Sequence, residues 1–459
     1  MRLDRLDRAA LIFIAVLLAI IAVLLIRGDQ VGVRVTRISP EPGASGVPTR
    51  AQLAFTFSEP MEAASLDGRI QMSPSLSGTL RWNGNTAFFA PQVSLKPDTA
   101  YTITLSAGAR SIRGRAVLRD ASWSFKTGHP RIVFLQPATG AGDLYWQEPA
   151  ASATPQRLTS EPLSVFDYAI SPDGRYIVYS ATRDDTGARD LWLINADGSG
   201  RERLATCDDQ VCQSPSWSAD SALIAFERRN LIKGTLGRAP GPSRIWLFDM
   251  ASKTIAPLLS DSQQLGTLPR WAPTGQNLAY YDSNASMVTV IDVASGQRTQ
   301  LPSVMGDSGT WSPNGQQIIY PELVAVDVGS YSQLIRADLT RNVITATMPL
   351  SNSNDSSVTW SPDGAQIAFT RQRGGSGGFN ALGHQIWVSA PDGSAARQVT
   401  TDTGYTYGGL TWRPDSEWLA AVRSNLQIPN PQPEVWLIRA DGKQVIRLAV
   451  NATLPAWLP

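Results

Sequence analysis

Histidine and cysteine are nearly absent from this chain. His129 and His384 are its only imidazoles, and Cys207 and Cys212 its only thiols, among 459 residues. A zinc site draws three or four ligands from such side chains, so no metal centre and no cofactor is expected. Net charge is missing too. The 40 Lys and Arg residues stand against 39 Asp and Glu, a formal +1 that gives no basic field for nucleic acid. Charged residues make up only 17%, while Gly, Pro and Trp are plentiful. That balance suits an extracytoplasmic all-β protein. The length suggests two or three domains.

One apolar run is long. Residues 9–26 contain no polar side chain. Eighteen residues at the helical rise cover roughly 27 Å, enough for a bilayer core. Arg2, Arg5 and Arg8 precede the run, partly offset by Asp4 and Asp7. This favours a cytoplasmic N-terminus. The run is long for a signal peptide and ends in Ile26-Arg27-Gly28 without a small-residue cleavage pattern. Residues 1–28 are therefore expected to be a cytoplasmic stub and uncleaved single-pass anchor. A cleaved signal peptide is the competing reading, and both export the remainder. In an exported chain Cys207 and Cys212 read as a local disulfide, with two free thiols as the alternative.

The C-terminal two-thirds repeats one unit, clearest at Val358-Thr359-Trp360-Ser361-Pro362-Asp363-Gly364-Ala365-Gln366-Ile367-Ala368-Phe369. An apolar strand ends in Trp. Ser-Pro-Asp-Gly supplies a tight turn, and a second strand follows. Equivalent units begin at Ile170, Trp217, Trp271, Trp311, Trp360 and Trp412, at spacings of 40 to 54 residues. Two further strands follow each, as in Leu191-Trp192-Leu193-Ile194 and Arg203-Leu204-Ala205-Thr206. Short strands at this period indicate propeller blades. The region opens with three strands that lack a first, at Ile132, Leu144 and Arg157, and closes on an orphan first strand around Trp457. Joined, these make one blade. The expectation is seven blades, closed by the C-terminal strand.

These motifs resemble the TolB-type, WD40-like (PD40) propeller repeat over residues 130–459. The resemblance implies fold rather than function, since such propellers serve as binding platforms and as peptidase appendages. Residues 29–129 carry about seven short alternating strands, which suggests an immunoglobulin-type sandwich. Phe55-Thr56-Phe57-Ser58-Glu59-Pro60-Met61, Leu95-Lys96-Pro97-Asp98-Thr99-Ala100-Tyr101 and Trp123-Ser124-Phe125-Lys126-Thr127-Gly128 resemble the bacterial Ig-like domain of SbsA type. Glu59 reads as structural, and His129 as a residue of the junction between the domains.

Chemical motifs are sparse. Gly374-Gly375-Ser376-Gly377-Gly378 satisfies a nucleophile pattern next to His384. That pattern needs a strand-to-helix elbow, and here it sits between blade strands, so a loop is expected. The turn acids Asp173, Asp363 and Asp415 read as turn stabilisers. The recurrent Trp residues read as inter-blade packing rather than a sugar-stacking surface. First strands offer mostly Ser, Thr and apolar residues, so no catalytic residue is assigned and no enzyme is expected. A propeller lyase or glycan hydrolase at the central channel is the alternative. The long connections at residues 181–190, 227–243, 321–332, 371–383 and 423–433 share one face with the Cys207–Cys212 loop. Loops on a rigid scaffold carry binding. Arg183, Arg189, Arg228, Arg229, Arg371, Arg373 and Arg423 are the candidate contacts for an envelope protein or glycan. The protein is thus expected to be a membrane-anchored binding or scaffolding protein of the bacterial envelope.

Overall fold

A computed structural model describes residues 13–20, 32–49, 51, 53–91, 94–234, 237–326, 329–348, 353–374 and 383–458. The anchor expected over residues 9–26 falls mostly outside them. Residues 13–20 are helical with exposed side chains, and among the described residues no helix is long and apolar enough to cross a membrane. All other described architecture is β apart from one short 3-10 turn, Ala63–Leu66.

The first domain is a two-sheet sandwich. Val35–Ser39, Leu53–Phe57, Thr86–Pro91 and Gly78–Asn83 form one sheet in that order, and Ile70–Ser73, Ala100–Leu105 and Ala121–Lys126 the other. Period-two alternation sends Leu53, Phe55 and Phe57 from one sheet, and Tyr101, Ile103 and Leu105 from the other, into a shared core. Phe55 meets Trp123 edge-on at 5.2 Å between ring centroids. Glu59 pairs with the Arg115 Nε at 3.1 Å, a structural role. At the junction, His129 Nδ1 lies 2.6 Å from Asp98 Oδ2 of the sandwich.

The repeat region forms a series of antiparallel sheets. Gln156–Arg157, Asp143–Gln147, Arg131–Gln136 and Thr453–Leu458 make one sheet in that order, so the chain's last described strand pairs with strands from the start of the region. Ser164–Ile170, Tyr176–Thr182 and Arg189–Asn195 continue through Gln210–Trp217 into Leu223–Gly234, Gly237–Asp249 and Ile255–Pro257. A single parallel bridge between Arg189 and Val211 links two repeat units there, while Glu202–Ala205 still pairs with Arg189–Asn195 as the outer strand of its own unit. Four-stranded sheets beginning at Thr267–Trp271, Thr310–Trp311, Ser353–Trp360 and Tyr405–Trp412 complete the set.

The repeated residues explain why the strands recur. In the turn after Ile170, Ser171 Oγ donates to Asp173 Oδ1 at 2.6 Å and accepts the Tyr176 N–H at 2.9 Å. Ser218 with Asp220, Ser312 with Asn314 and Ser361 with Asp363 repeat this arrangement. The Trp residues tie one first strand to the next. Trp217 Nε1 donates to the Ala169 carbonyl, Trp311 to Arg270, Trp412 to Thr359 and Trp457 to Thr411. Each acceptor immediately precedes the residue that starts the neighbouring unit. The indoles therefore perform inter-blade packing.

A second regularity is invisible in the motif. Ser214, Leu268, Ser357, Gly409 and Leu454 all have left-handed backbone, with φ between 48° and 58°, and each lies three residues before its Trp. A shift of register sits at each of these places. These are β-bulges, which bend the strand and increase its twist. Leucine at positive φ is strained, so surrounding contacts must hold it.

Candidate binding face

Two of the long connections are not loops. The segment at 227–243 continues Leu223–Gly234 and Gly237–Asp249 as a ladder down to the pair Gly234 and Gly237. The segment at 321–332 does the same as far as Ala325 and Ser330. Apolar residues spaced along these segments support pairing, which satisfies the backbone that a loop would leave to water. Both hairpins project on the side away from the Ser-Pro-Asp-Gly turns. Ile232 and Leu323 near their ends are 55% and 46% exposed. Val304, Met305 and Ile428 on the same side are exposed as well. Cys207 and Cys212 are joined by a disulfide, with Cα atoms 6.2 Å apart, and Asp208 and Asp209 between them receive Arg183 and Arg238.

The seven arginines of this face do not converge on one spot. Arg183 forks onto Asp190, with Nη2 2.6 Å and Nε 3.1 Å from its two oxygens. Arg229 is held by Glu227 Oε2, and Arg371 grips Asp355 with two bonds of 2.7 Å. Arg228 donates to Gln210 and lies over the Trp246 ring. Arg423 lies 3.5 Å over the Tyr405 ring. Arg373 is exposed against Trp387. Arg189 lies over the Phe166 ring at 3.5 Å and donates to Gln213, while its Nε is buried without a partner among the described residues.

Where the first strands begin, acids of one strand hold the bulge of the next. Asp167 Oδ2 accepts the Ser214 N–H at 2.6 Å, and its Oδ1 accepts Ser180 Oγ at 2.5 Å. Glu227 Oε1 accepts the Leu268 N–H at 2.8 Å, while its Oε2 takes Arg229, Ser243 and Gln213. Tyr168 donates to the Leu454 carbonyl. These bonds compensate the left-handed residues. The two acids differ in character. Glu227 is almost fully buried and saturated with donors, so it is structural. Asp167 is pushed up to about 6, chiefly by burial, against the pull of its hydrogen bonds and of Arg189. A carboxyl poised there exchanges a proton near neutrality. Burial lowers His384 below the usual imidazole range.

Asp167 and Asp355 escaped the sequence reading, which took first strands as mostly Ser, Thr and apolar residues. Asp167 interrupts the apolar run Val165-Phe166-Asp167-Tyr168, and that interruption was the available signal. Of the nucleophile-like stretch, all but Gly374 lies outside the described residues. Among the described residues, no group of three or more His, Cys, Asp or Glu is placed to hold a metal.

The architecture defines an all-β protein with an Ig-like sandwich and a propeller. A model of the bacterial Ig-like domain matches residues 29–127, and a model of the TolB beta propeller domain matches residues 249–459. The chain carries these two domains. Dipeptidyl-peptidase 5 of Porphyromonas gingivalis is 33% identical over 104 residues, 21% of this chain and 15% of that relative's length. TolB from Acinetobacter baumannii is 17% identical over 72% of this chain and 83% of its own, with a TM-score of 0.41. An oligogalacturonate lyase in complex with manganese is 14% identical over 62% and 74%, with a TM-score of 0.42. A prolyl endopeptidase is 12% identical over 77% and 49%, with a TM-score of 0.49. The expectation that no enzyme is involved does not stand, because a dipeptidyl-peptidase is 33% identical to this chain over 104 residues. That expectation rested on the absence of His, Cys or carboxylate clusters and on first strands of mostly Ser, Thr and apolar residues.

Proposed function

We propose that this is a bacterial envelope protein, held at the cell membrane by residues 9–26, whose seven-bladed propeller, closed by the C-terminal strand, binds a protein or glycan. The Ig-like domain spaces the propeller from the bilayer. The asymmetry between the propeller's faces carries the reading. One face has only short turns, whereas the other projects two hairpins with exposed Ile232 and Leu323. Exposed apolar side chains on a rigid, polar-rimmed scaffold mark interaction surfaces. The test is capture from native envelopes by the full chain, compared with a chain carrying Ile232→Ser, Leu323→Ser and Arg373→Ala. A partner retained by the first and lost from the second supports this face. Equal retention by both transfers binding to the Ig-like domain or the opposite face.

A second reading places acid–base chemistry at the start of the first strands. It rests on Asp167, a carboxyl near neutrality beside Arg189. Turnover of an oligosaccharide or peptide that Asp167→Asn abolishes without altering the melting temperature would favour it.

A further inference from the structure

A separate cavity of about 460 Å³ lies beside the segment following the strand Gln156–Arg157, facing the strands Tyr176–Thr182 and Arg189–Asn195. Arg157 and Arg201 line it, with Leu158, Ser160, Pro162 and Tyr179. We propose that this cavity binds a small anionic ligand, a carboxylate or phosphate carried on a sugar-sized body.

Both guanidiniums are pre-set from behind. Arg201 forks onto Glu161, with Nε and Nη2 3.0 and 2.9 Å from its two oxygens, and its plane lies 3.5 Å over the Trp192 ring. Arg157 gives Nη2 to Asp143 and Nε to the Thr159 carbonyl. Their side chains remain 45% and 49% exposed, whereas Glu161 and Asp143 are buried at 3% and 7%. The acids are occupied by protein donors. Asp143 also takes the Thr159 hydroxyl and the Glu161 N–H, and Glu161 takes the Tyr179 hydroxyl at 2.7 Å. Burial, then the bond to Glu161, pushes the Tyr179 phenol up, so it stays a donor.

Behind the cavity, then, the carboxylate oxygens are turned to protein donors. The Nη1 of each arginine has no protein acceptor among the described residues, and the exposed Ser160 adds a hydroxyl. Fixed guanidinium edges suit the oxygens of carboxylates and phosphates. Rigidity lowers the ordering cost of binding. Leu158 and Pro162 offer an apolar wall to a ring. Because each arginine is already neutralised, recognition depends on hydrogen-bond geometry more than on field, and salt should weaken it only mildly.

The test is calorimetric titration of the full chain with glucuronate, glucose 6-phosphate and glucose. Two variants accompany it. Arg157→Gln removes one edge. Ser160→Trp fills the cavity from an exposed position and leaves both ion pairs intact, so it decides the matter should the first variant misfold. Saturable binding of either anion, weakened at least tenfold by these variants and absent for glucose, supports the site. Preference between the two anions identifies a sugar acid or a sugar phosphate as the ligand source. No binding of either anion, equal binding of glucose, or unchanged binding in Ser160→Trp overturns it.

Discussion

The two faces of the propeller are built on different principles. The turn face repeats one device, a Ser hydroxyl bridging an Asp or Asn side chain and a backbone N–H, at Ser171, Ser218, Ser312 and Ser361. Its cohesion comes from many small, equal bonds. The opposite face repeats a backbone shape, the left-handed bulge, but stabilises it differently each time. Asp167 serves Ser214, Glu227 serves Leu268, and Tyr168 serves Leu454. A face assembled from individual solutions can vary its surface chemistry without disturbing the scaffold. That is why the hairpins, the disulfide and the titrating acid are found there.

The comparison can be broken first at what both faces share. Trp217→Ala removes a buried indole that joins neighbouring first strands, and it should cost about 3–5 kcal/mol in urea denaturation. A cost under about 1 kcal/mol would show that the units cohere without their indoles. Next comes Glu227→Gln on the individual face. It leaves Arg229 without its buried counter-charge and should destabilise by about 3 kcal/mol, with early exchange of the Leu268 amide. A near-neutral outcome would remove the acid clamp from the account.

Asp167 should make stability fall as pH rises. Its carboxyl titrates at 3.8 when unfolded and at about 6 when folded, so folding takes up a proton between these values. Its contribution to stability is fully present below 3.8, declines as pH rises to about 6, and is constant above. The difference in unfolding free energy between the native chain and Asp167→Asn, measured from pH 4 to pH 8, should fall by at most about 3 kcal/mol. A flat difference would mean that the carboxyl titrates normally. The smallest effect belongs to the turn face. Ser361→Ala loses the bonds to Asp363 and to the Gln366 N–H, and should cost about 1 kcal/mol. A larger loss would show that a single turn governs its whole sheet.

Much of the fold was legible because its signals are local. Trp360-Ser361-Pro362-Asp363-Gly364 specifies strand end, turn and strand start within five residues, and Leu53 to Phe57 declares its buried face by alternation. Other features were hidden because they depend on distant partners. Nothing near Leu268 announces positive φ, since the group that makes it tolerable is Glu227, far along the chain. The segments at 227–243 and 321–332 read as loops because pairing across a hairpin is a property of both arms together. The arginines looked like one surface patch in the sequence, yet Arg183, Arg229 and Arg371 are spent on Asp190, Glu227 and Asp355.

By itself, then, the sequence determined the class of fold, the repeat and the turn chemistry, because backbone preference and side-chain periodicity act over a few residues. Tertiary structure alone decided which charges are consumed internally, which carboxyl is lifted toward neutrality, and which arginine edges stay open around a cavity. Those properties follow from burial and from groups brought together out of separate sheets, and no short stretch of chain contains them.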